Sequence, residues 1–478
     1  MAAGDDFTLI VTEDGNICTS GNNMYGQLGI GDFEVHQQPC VLKHVDTFGG
    51  HEVVMVAAGG MTSACVTKDG SLWTWGYNAK CVLGHLHPSP HMHLSQCRPR
   101  RLCRSLHGNS PVQMVACGFR FTLILTISGQ IWSFGHGMCY ELGHGERGTI
   151  EVPKCIDPAL FDGAEIGMIA TGSFHCLALS KTGGKVWGWG YNSFGQTGAG
   201  NTESPVRVPT LIPEAAQDGD LMAFVSCGYD FSMLVTVNGV VWSCGNNGRN
   251  EAGLDHNVTH SLVLKRVAGD EYFGPGGIRM VSCGFTHTML VAKNNTVWTC
   301  GSGVNGALAR GFNQIEEGVG GKGRPCLVDS ATFSSSDSEI LSDNDVLVVV
   351  AGKHSSFAVT SGGVVYLWGD QAKWVHQDSE PSYPKPGWFS HIMPAWALGL
   401  AENSTEYARP GRWHDMRRDC TTAFVMGTHP NFARNATSCY NSDFPEELLR
   451  DMFRSMRFAV REGSSEGVQA LLGFEVDE

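Results

Sequence analysis

Apolar and polar positions along this chain alternate in short runs rather than in helical turns. Thr122-Leu123-Ile124-Leu125-Thr126 has the β-branched and apolar character of a half-buried strand. A glycine turn follows at Ser128-Gly129, and then a second run, Ile131-Trp132-Ser133-Phe134, closes on Gly135. The same phrase occurs seven times, opening at Gly4, Gly59, Gly118, Gly172, Gly228, Gly284 and Gly352, with spacings of 55, 59, 54, 56, 56 and 68 residues. A fixed period of this length signals a repeat architecture and is read before any local motif.

Each copy predicts two strands joined by a tight turn. Asp69-Gly70 and Asn238-Gly239 match Ser128-Gly129 as hairpin signals, because such turns need positive φ. The second strand carries large aromatics and ends in glycine, as in Trp73-Thr74-Trp75-Gly76 and Trp187-Gly188-Trp189-Gly190. A polar, glycine-rich loop follows, then a proline (Pro153, Pro205) suited to an outer strand where a missing N–H is tolerated. Each repeat therefore supplies about four short antiparallel strands, the blade of a β-propeller. No blade covers both its faces alone, so the ring is the folding unit. The expected fold class is all-β: a seven-bladed β-propeller of four-stranded antiparallel blades.

The phrase resembles the regulator of chromosome condensation repeat family. Cys283-Gly284-Phe285-Thr286-His287-Thr288 nearly completes its cysteine-glycine-x-x-histidine-threonine element. Tyr25-Gly26-Gln27-Leu28-Gly29-Ile30-Gly31 and Trp189-Gly190-Tyr191-Asn192-Ser193-Phe194-Gly195-Gln196 match its glycine-glutamine loop. Glu251-Ala252-Gly253-Leu254 and Gly306-Ala307-Leu308-Ala309 keep part of that loop. The resemblance spans residues 1–370 and implies the propeller fold. A photoreceptor of this fold carries tryptophans directly after the anchor glycine. Here that place holds Gly60, Phe119, Ser173, Tyr229, Phe285 and Lys353, so photoreception is not expected.

The chain begins at the first anchor, so the strand preceding it must come from elsewhere if the ring closes. Arg418-Asp419-Cys420-Thr421-Thr422-Ala423-Phe424-Val425 aligns with Gly352-Lys353-His354-Ser355-Ser356-Phe357-Ala358-Val359 and is the expected source. The propeller is accordingly placed at 1–426, with an irregular, Pro- and Trp-rich insertion at 370–412. A helical C-terminal appendage is expected at 427–478. Asp443 and Glu446 resemble a capping box with Pro445 in the first turn. Leu448, Leu449, Met452, Phe453, Met456 and Val460 form an apolar stripe, with Arg450, Arg454, Arg457 and Arg461 on another face. Residues 444–453 resemble the opening of an F-box, and 459–472 part of an ankyrin repeat; a simple packing helix is the third reading.

A formal net charge of −14 argues against electrostatic binding of nucleic acid. No apolar run approaches a membrane span and the N-terminal residues do not form a signal peptide. The 17 cysteines are odd in number and many fall inside strands, as Cys117, Cys227, Cys244, Cys283 and Cys300 do. Buried thiols in a reducing compartment follow, hence a cytoplasmic or nuclear protein rather than a secreted one, and a monomer.

Little in the chain points to catalysis. Gly143-His144-Gly145-Glu146-Arg147-Gly148 and Gly301-Ser302-Gly303-Val304-Asn305-Gly306 match a dinucleotide fingerprint but occupy the repeat's loop, with no helix expected after them. His85, His87, His91 and His93 offer imidazoles for zinc at a spacing that fits no standard finger. No cofactor is expected. The residues two and three places after the anchors are candidates for a ring around the channel: Asp6, Arg120, Asp230 and His354, then His175 and His287. They line a partner-binding face, or the histidines tie adjacent blades by hydrogen bonds. The expected function is a non-enzymatic protein-interaction scaffold using one propeller face. The family resemblance implies as an alternative guanine-nucleotide exchange on a Ran-like small GTPase, which needs no catalytic acid or base. A ubiquitin-ligase substrate adaptor, resting on the F-box-like segment, is the other alternative.

Overall fold

The computed structural model describes residues 1–85, 95–201, 204–213, 220–267, 273–274, 276–303, 306–309, 325–328, 346–360 and 365–369. They form seven antiparallel sheets, each a meander in chain order. Blade three is representative, with strands Val112–Cys117, Phe121–Thr126, Ile131–Gly137 and Gly148–Cys155. Ile124 sits opposite both Val115 and Trp132, so the apolar run read from the sequence is the centre of a blade. Every residue of Phe121–Thr126 is buried, because neighbouring blades cover both faces of this strand. The fourth strands hold the prolines: Pro39, Pro99, Pro153 and Pro209 all lie on the blade's outer edge, where no further strand needs their N–H.

The blades adhere through apolar seams. Phe121, Leu123 and Leu125 of blade three pack with Ile166, Ala178, Trp187 and Trp189 of blade four. Equivalent clusters join one to two, two to three, four to five, five to six and six to seven. A smaller cluster of Met1, Phe357, Val365 and Leu367, packed against Ala3, Ile10, Val350 and Val359, joins seven back to one. Among the described residues the seventh blade therefore meets the first directly.

This closure differs from the sequence expectation in one respect. Ala2–Ala3 pairs with Thr8 and Leu9 and is itself the innermost strand of the first sheet, although only two residues long. Residues 413–426, expected to supply that strand, lie outside the described residues, as do the insertion at 370–412 and the appendage at 427–478. The sixth sheet ends in a two-residue outer strand, Cys326–Leu327, and the seventh has three described strands.

The glycine-glutamine loop explains how a local motif becomes a blade seam. In blade one, Asn23 Oδ1 accepts from Leu28 N–H at 2.9 Å and Gln27 Oε1 accepts from Tyr25 N–H at 2.9 Å, which folds the loop on itself. Its Gln27 carbonyl then accepts from Trp75 Nε1–H at 2.8 Å and Ser63 Oγ–H at 2.6 Å, both in blade two. Trp189 reaches Glu141 O at 2.9 Å, and Trp368 reaches Ala307 O at 2.8 Å, by the same geometry. Each such buried bond contributes about 1 kcal/mol. The indole fills the seam while its one polar atom is satisfied by the neighbour.

Candidate functional site: the channel mouth

Each first strand ends at an anchor glycine. A Cβ on Gly118 would lie 2.1 Å from Phe121 Cε1, and one on Gly172 2.3 Å from His175 Cε1, because the ring three residues on folds back over the glycine. The next residue then donates its N–H across a seam: Asp5 to Gly60 O at 3.1 Å, Phe119 to Ser173 O at 3.3 Å, Tyr229 to Gly284 O and Phe285 to Gly352 O at 3.2 Å. These bonds brace one end of the central channel. They hold the side chains one and two places after the anchors around its mouth, on the same face as the glutamine loops.

An aromatic arc runs along this mouth through blades three to seven. Ring centroids are 5.7 Å apart for Phe119 and Phe174, 6.1 Å for Phe174 and Tyr229, 4.0 Å for Tyr229 and Phe285, and 5.8 Å for Phe285 and His354. Arg120 places its guanidinium 5.3 Å from the Phe119 centroid at one end. At the other, Lys353 Nζ lies 3.4 Å from Asp5 Oδ2. The four phenyl and phenol rings are half-buried, so one side of the arc faces solvent.

Carboxylates sit against the arc. Asp230 accepts from Gln196 Nε2–H at 3.3 Å, and burial followed by the charge of Glu251 pushes its pKa up to about 6. Glu251 and Asp5 are also raised, chiefly by burial, the latter against the opposing pull of Lys353. Asp230 and Asp5 both raise the Tyr229 phenol, after its burial. On blade three, burial and then the charges of Lys80 and Arg120 hold the His136 imidazole below its ordinary range.

The candidate residues from the sequence separate into two groups. Asp6, Arg120, Asp230 and His354 lie at the mouth, the first two exposed. His175 and His287 do not reach it; both are fully buried. His175 Nε2 is 2.8 Å from Ser232 Oγ in the next blade, and that hydroxyl donates to Gln196 O at 2.7 Å. The hydroxyl's single proton is thereby committed, so His175 carries its proton on Nε2. His287 repeats this with Ser356 at 2.9 Å and Ala307 O at 2.8 Å. Burial pulls the two imidazoles down to about 3 and about 4, so both are neutral ties between blades. His85 is also buried, against Thr74 Oγ1 at 3.0 Å, whereas His87, His91 and His93 lie outside the described residues. Among the described residues no group of three or more metal-binding side chains is assembled. Gly143–Gly148 forms a blade-three loop followed by a strand.

The sequence reading missed Phe119, Tyr229 and Phe285, having inspected that position only for tryptophan. It also missed the rim. Met24, Phe33, Val35 and Met138 are exposed by 64%, 49%, 43% and 48%, and all four project from loops between third and fourth strands on this face. Tyr25 and Tyr77 meet edge to face at 5.2 Å beside them. On the opposite face, Lys68–Glu52, Lys181–Glu165, Lys185–Asp162 and Arg104–Asp69 pair with one another near the hairpin turns.

Comparison with known proteins agrees with this architecture. The RCC1-like domain family model matches residues 1–314. The ultraviolet-B receptor UVR8 of Arabidopsis thaliana is 33% identical over 265 residues, 55% of this chain and 56% of the receptor, so the likeness spans about half of each. Human WBSCR16 superposes with a TM-score of 0.63 at 21% identity, covering 77% of this chain and 86% of that one. Prp20p of Saccharomyces cerevisiae superposes with 0.61 at 22% identity, covering 75% and 81%.

Proposed function

This chain belongs to the RCC1-like domain family, and on that premise we propose that it is a non-enzymatic protein-interaction scaffold whose partner docks on the glutamine-loop face. The observation that carries this reading is the position of Met24, Phe33, Val35 and Met138. Exposed apolar side chains mark a surface meant to be covered, and this face holds four of them, although Val45 and Ile127 are exposed on the opposite face and Leu211 and Leu327 on outer strands. They rim a mouth lined by Phe119, Phe174, Tyr229 and Phe285, and aromatics and methionine are enriched in interface centres. Prp20p, of the same fold, has binding properties towards Gsp1p and histones, so a Ran-like GTPase is the first partner to assay and nucleotide exchange is the second reading.

The test is photo-crosslinking from a benzoylphenylalanine placed at Met24 or at Asn294, an exposed hairpin residue of the other face. A partner is expected to crosslink from Met24 alone. Equal crosslinking from Asn294, or none from Met24, would contradict the reading. Acceleration of GDP release from a Ran-type GTPase by the protein would move exchange ahead of a passive scaffold.

A further inference from the structure

We propose that the channel mouth between blades four and six receives a basic side chain of the partner, an arginine guanidinium stacked on Tyr229 and Phe285 and paired with Asp230. This deepens the interaction-scaffold reading and rests on it.

Three observations carry the inference. The first is the pairing of Tyr229 and Phe285, whose centroids are 4.0 Å apart, the tightest step of the arc. Both rings are half-buried, and a cation is attracted to an aromatic ring it can reach. The second is the position of Asp230, the residue next to Tyr229, whose carboxylate is held at the mouth by Gln196 Nε2 at 3.3 Å. Glu251 adds negative charge close by, partly offset by Arg249, whereas Asp5 is paired with Lys353. A carboxylate beside an aromatic ring recognises a cation through both features at once. The third is internal precedent. Arg120 already lies over Phe119 at 5.3 Å, and Arg147 and Arg207 lie over Tyr140 at 5.1 and 5.6 Å, so this face stacks guanidinium groups on its own rings.

The cations on this face are Arg120 and Lys353 at the two ends of the arc and the exposed Arg249 of blade five, whose charge acts on Glu251. Lys353 is engaged by Asp5, and Arg120 is on blade three. His354 stacks on Phe285 at 5.8 Å and opposes binding only when protonated. Guanidinium is favoured over ammonium because it is planar, stacks on rings and still presents N–H groups to a carboxylate. Burial and the Glu251 charge raise Asp230, so the free site holds a carboxylate at a cost that an arriving cation offsets.

The probe is N-acetyl-arginine amide, with N-acetyl-citrulline amide as its neutral isostere. The full chain, with its ten tyrosines replaced by 3-fluorotyrosine, is followed by fluorine NMR, and the Tyr229 signal is assigned from Tyr229→Phe. The arginine amide is expected to shift the Tyr229 signal saturably. The citrulline amide and the Asp230→Asn protein should each bind about fivefold more weakly or worse. Phe285→Leu should weaken the arginine amide as well, and unshifted signals from the remaining tyrosines show that each variant is folded. Equal shifts with citrulline, no saturation, or indifference to both Asp230→Asn and Phe285→Leu would overturn the proposal. If the partner still crosslinks undiminished from Met24 in the Asp230→Asn protein, the docking face stands and the basic side chain in its mouth does not. Loss of crosslinking in the unmodified protein would instead remove the face reading.

Discussion

Lys353 Nζ lies 3.4 Å from Asp5 Oδ2, joining the seventh blade to the first across 348 positions of chain. The pair crosses the seam whose apolar cluster is the smallest among the described residues, next to Ala3 and Gly352, whose added Cβ would stand 3.1 Å from Ala3 Cβ. Burial raises Asp5 more than Lys353 lowers it, so the ion pair satisfies a carboxylate that the closed ring makes expensive. Lys353→Met is expected to lower the unfolding free energy by about 1–2 kcal/mol, by stranding that carboxylate. Adding Asp5→Asn should recover about half of the loss. Urea denaturation of the two variants checks this.

Glu141 stands where blades one and four have Gln27 and Gln196. Its Oε2 accepts from Cys139 N–H at 2.6 Å, as Gln27 Oε1 does from Tyr25 N–H. Glu141 is 2% exposed, and burial pushes its pKa up from 4.5 to about 7. The folded state therefore holds this proton more tightly than the unfolded chain. The stabilisation is complete below about 4.5 and is lost as pH rises through about 7. Glu141→Gln is expected to stabilise the protein by about 1–3 kcal/mol near pH 8 and hardly at all near pH 5. Thermal melts of both proteins at the two pH values measure the difference.

Gly190 closes the third strand of blade four at φ +100°, and a Cβ there would lie 2.5 Å from Phe174 O and 2.8 Å from His175 Cα. Gly190→Val is expected to cost about 1–3 kcal/mol, from strain and from displacing the segment that carries Phe174. Chemical denaturation reads the cost, and an unchanged midpoint would mean that the turn relaxes freely.

Much of this architecture is legible because its elements are local. Thr122–Thr126 reads as a strand from five residues, and the loop around Gln27 folds through bonds among Asn23, Tyr25, Gln27 and Leu28. His175 and His287 share their place in the repeat with Phe7, Phe121 and Phe231, all fully buried, so the sequence already grouped them with core rings. The aromatic arc was hidden because its members differ in phase. Phe119, Tyr229 and Phe285 come one residue after their anchors, and Phe174 and His354 come two after theirs. Only the bracing of neighbouring turns brings the two phases into one line. The rim of Met24, Phe33, Val35 and Met138 was hidden for a similar reason: each looks like an ordinary apolar loop residue until the loops share a face.

Hydrogen–deuterium exchange of the full chain, with and without the partner captured from Met24, tests the central claim most directly. The account predicts protection at residues 119–120, 173–174, 229–230 and 285–286, the turns that carry the mouth. Protection confined to 427–478, or to the opposite hairpin turns at Ser128-Gly129 and Asn238-Gly239, would contradict it.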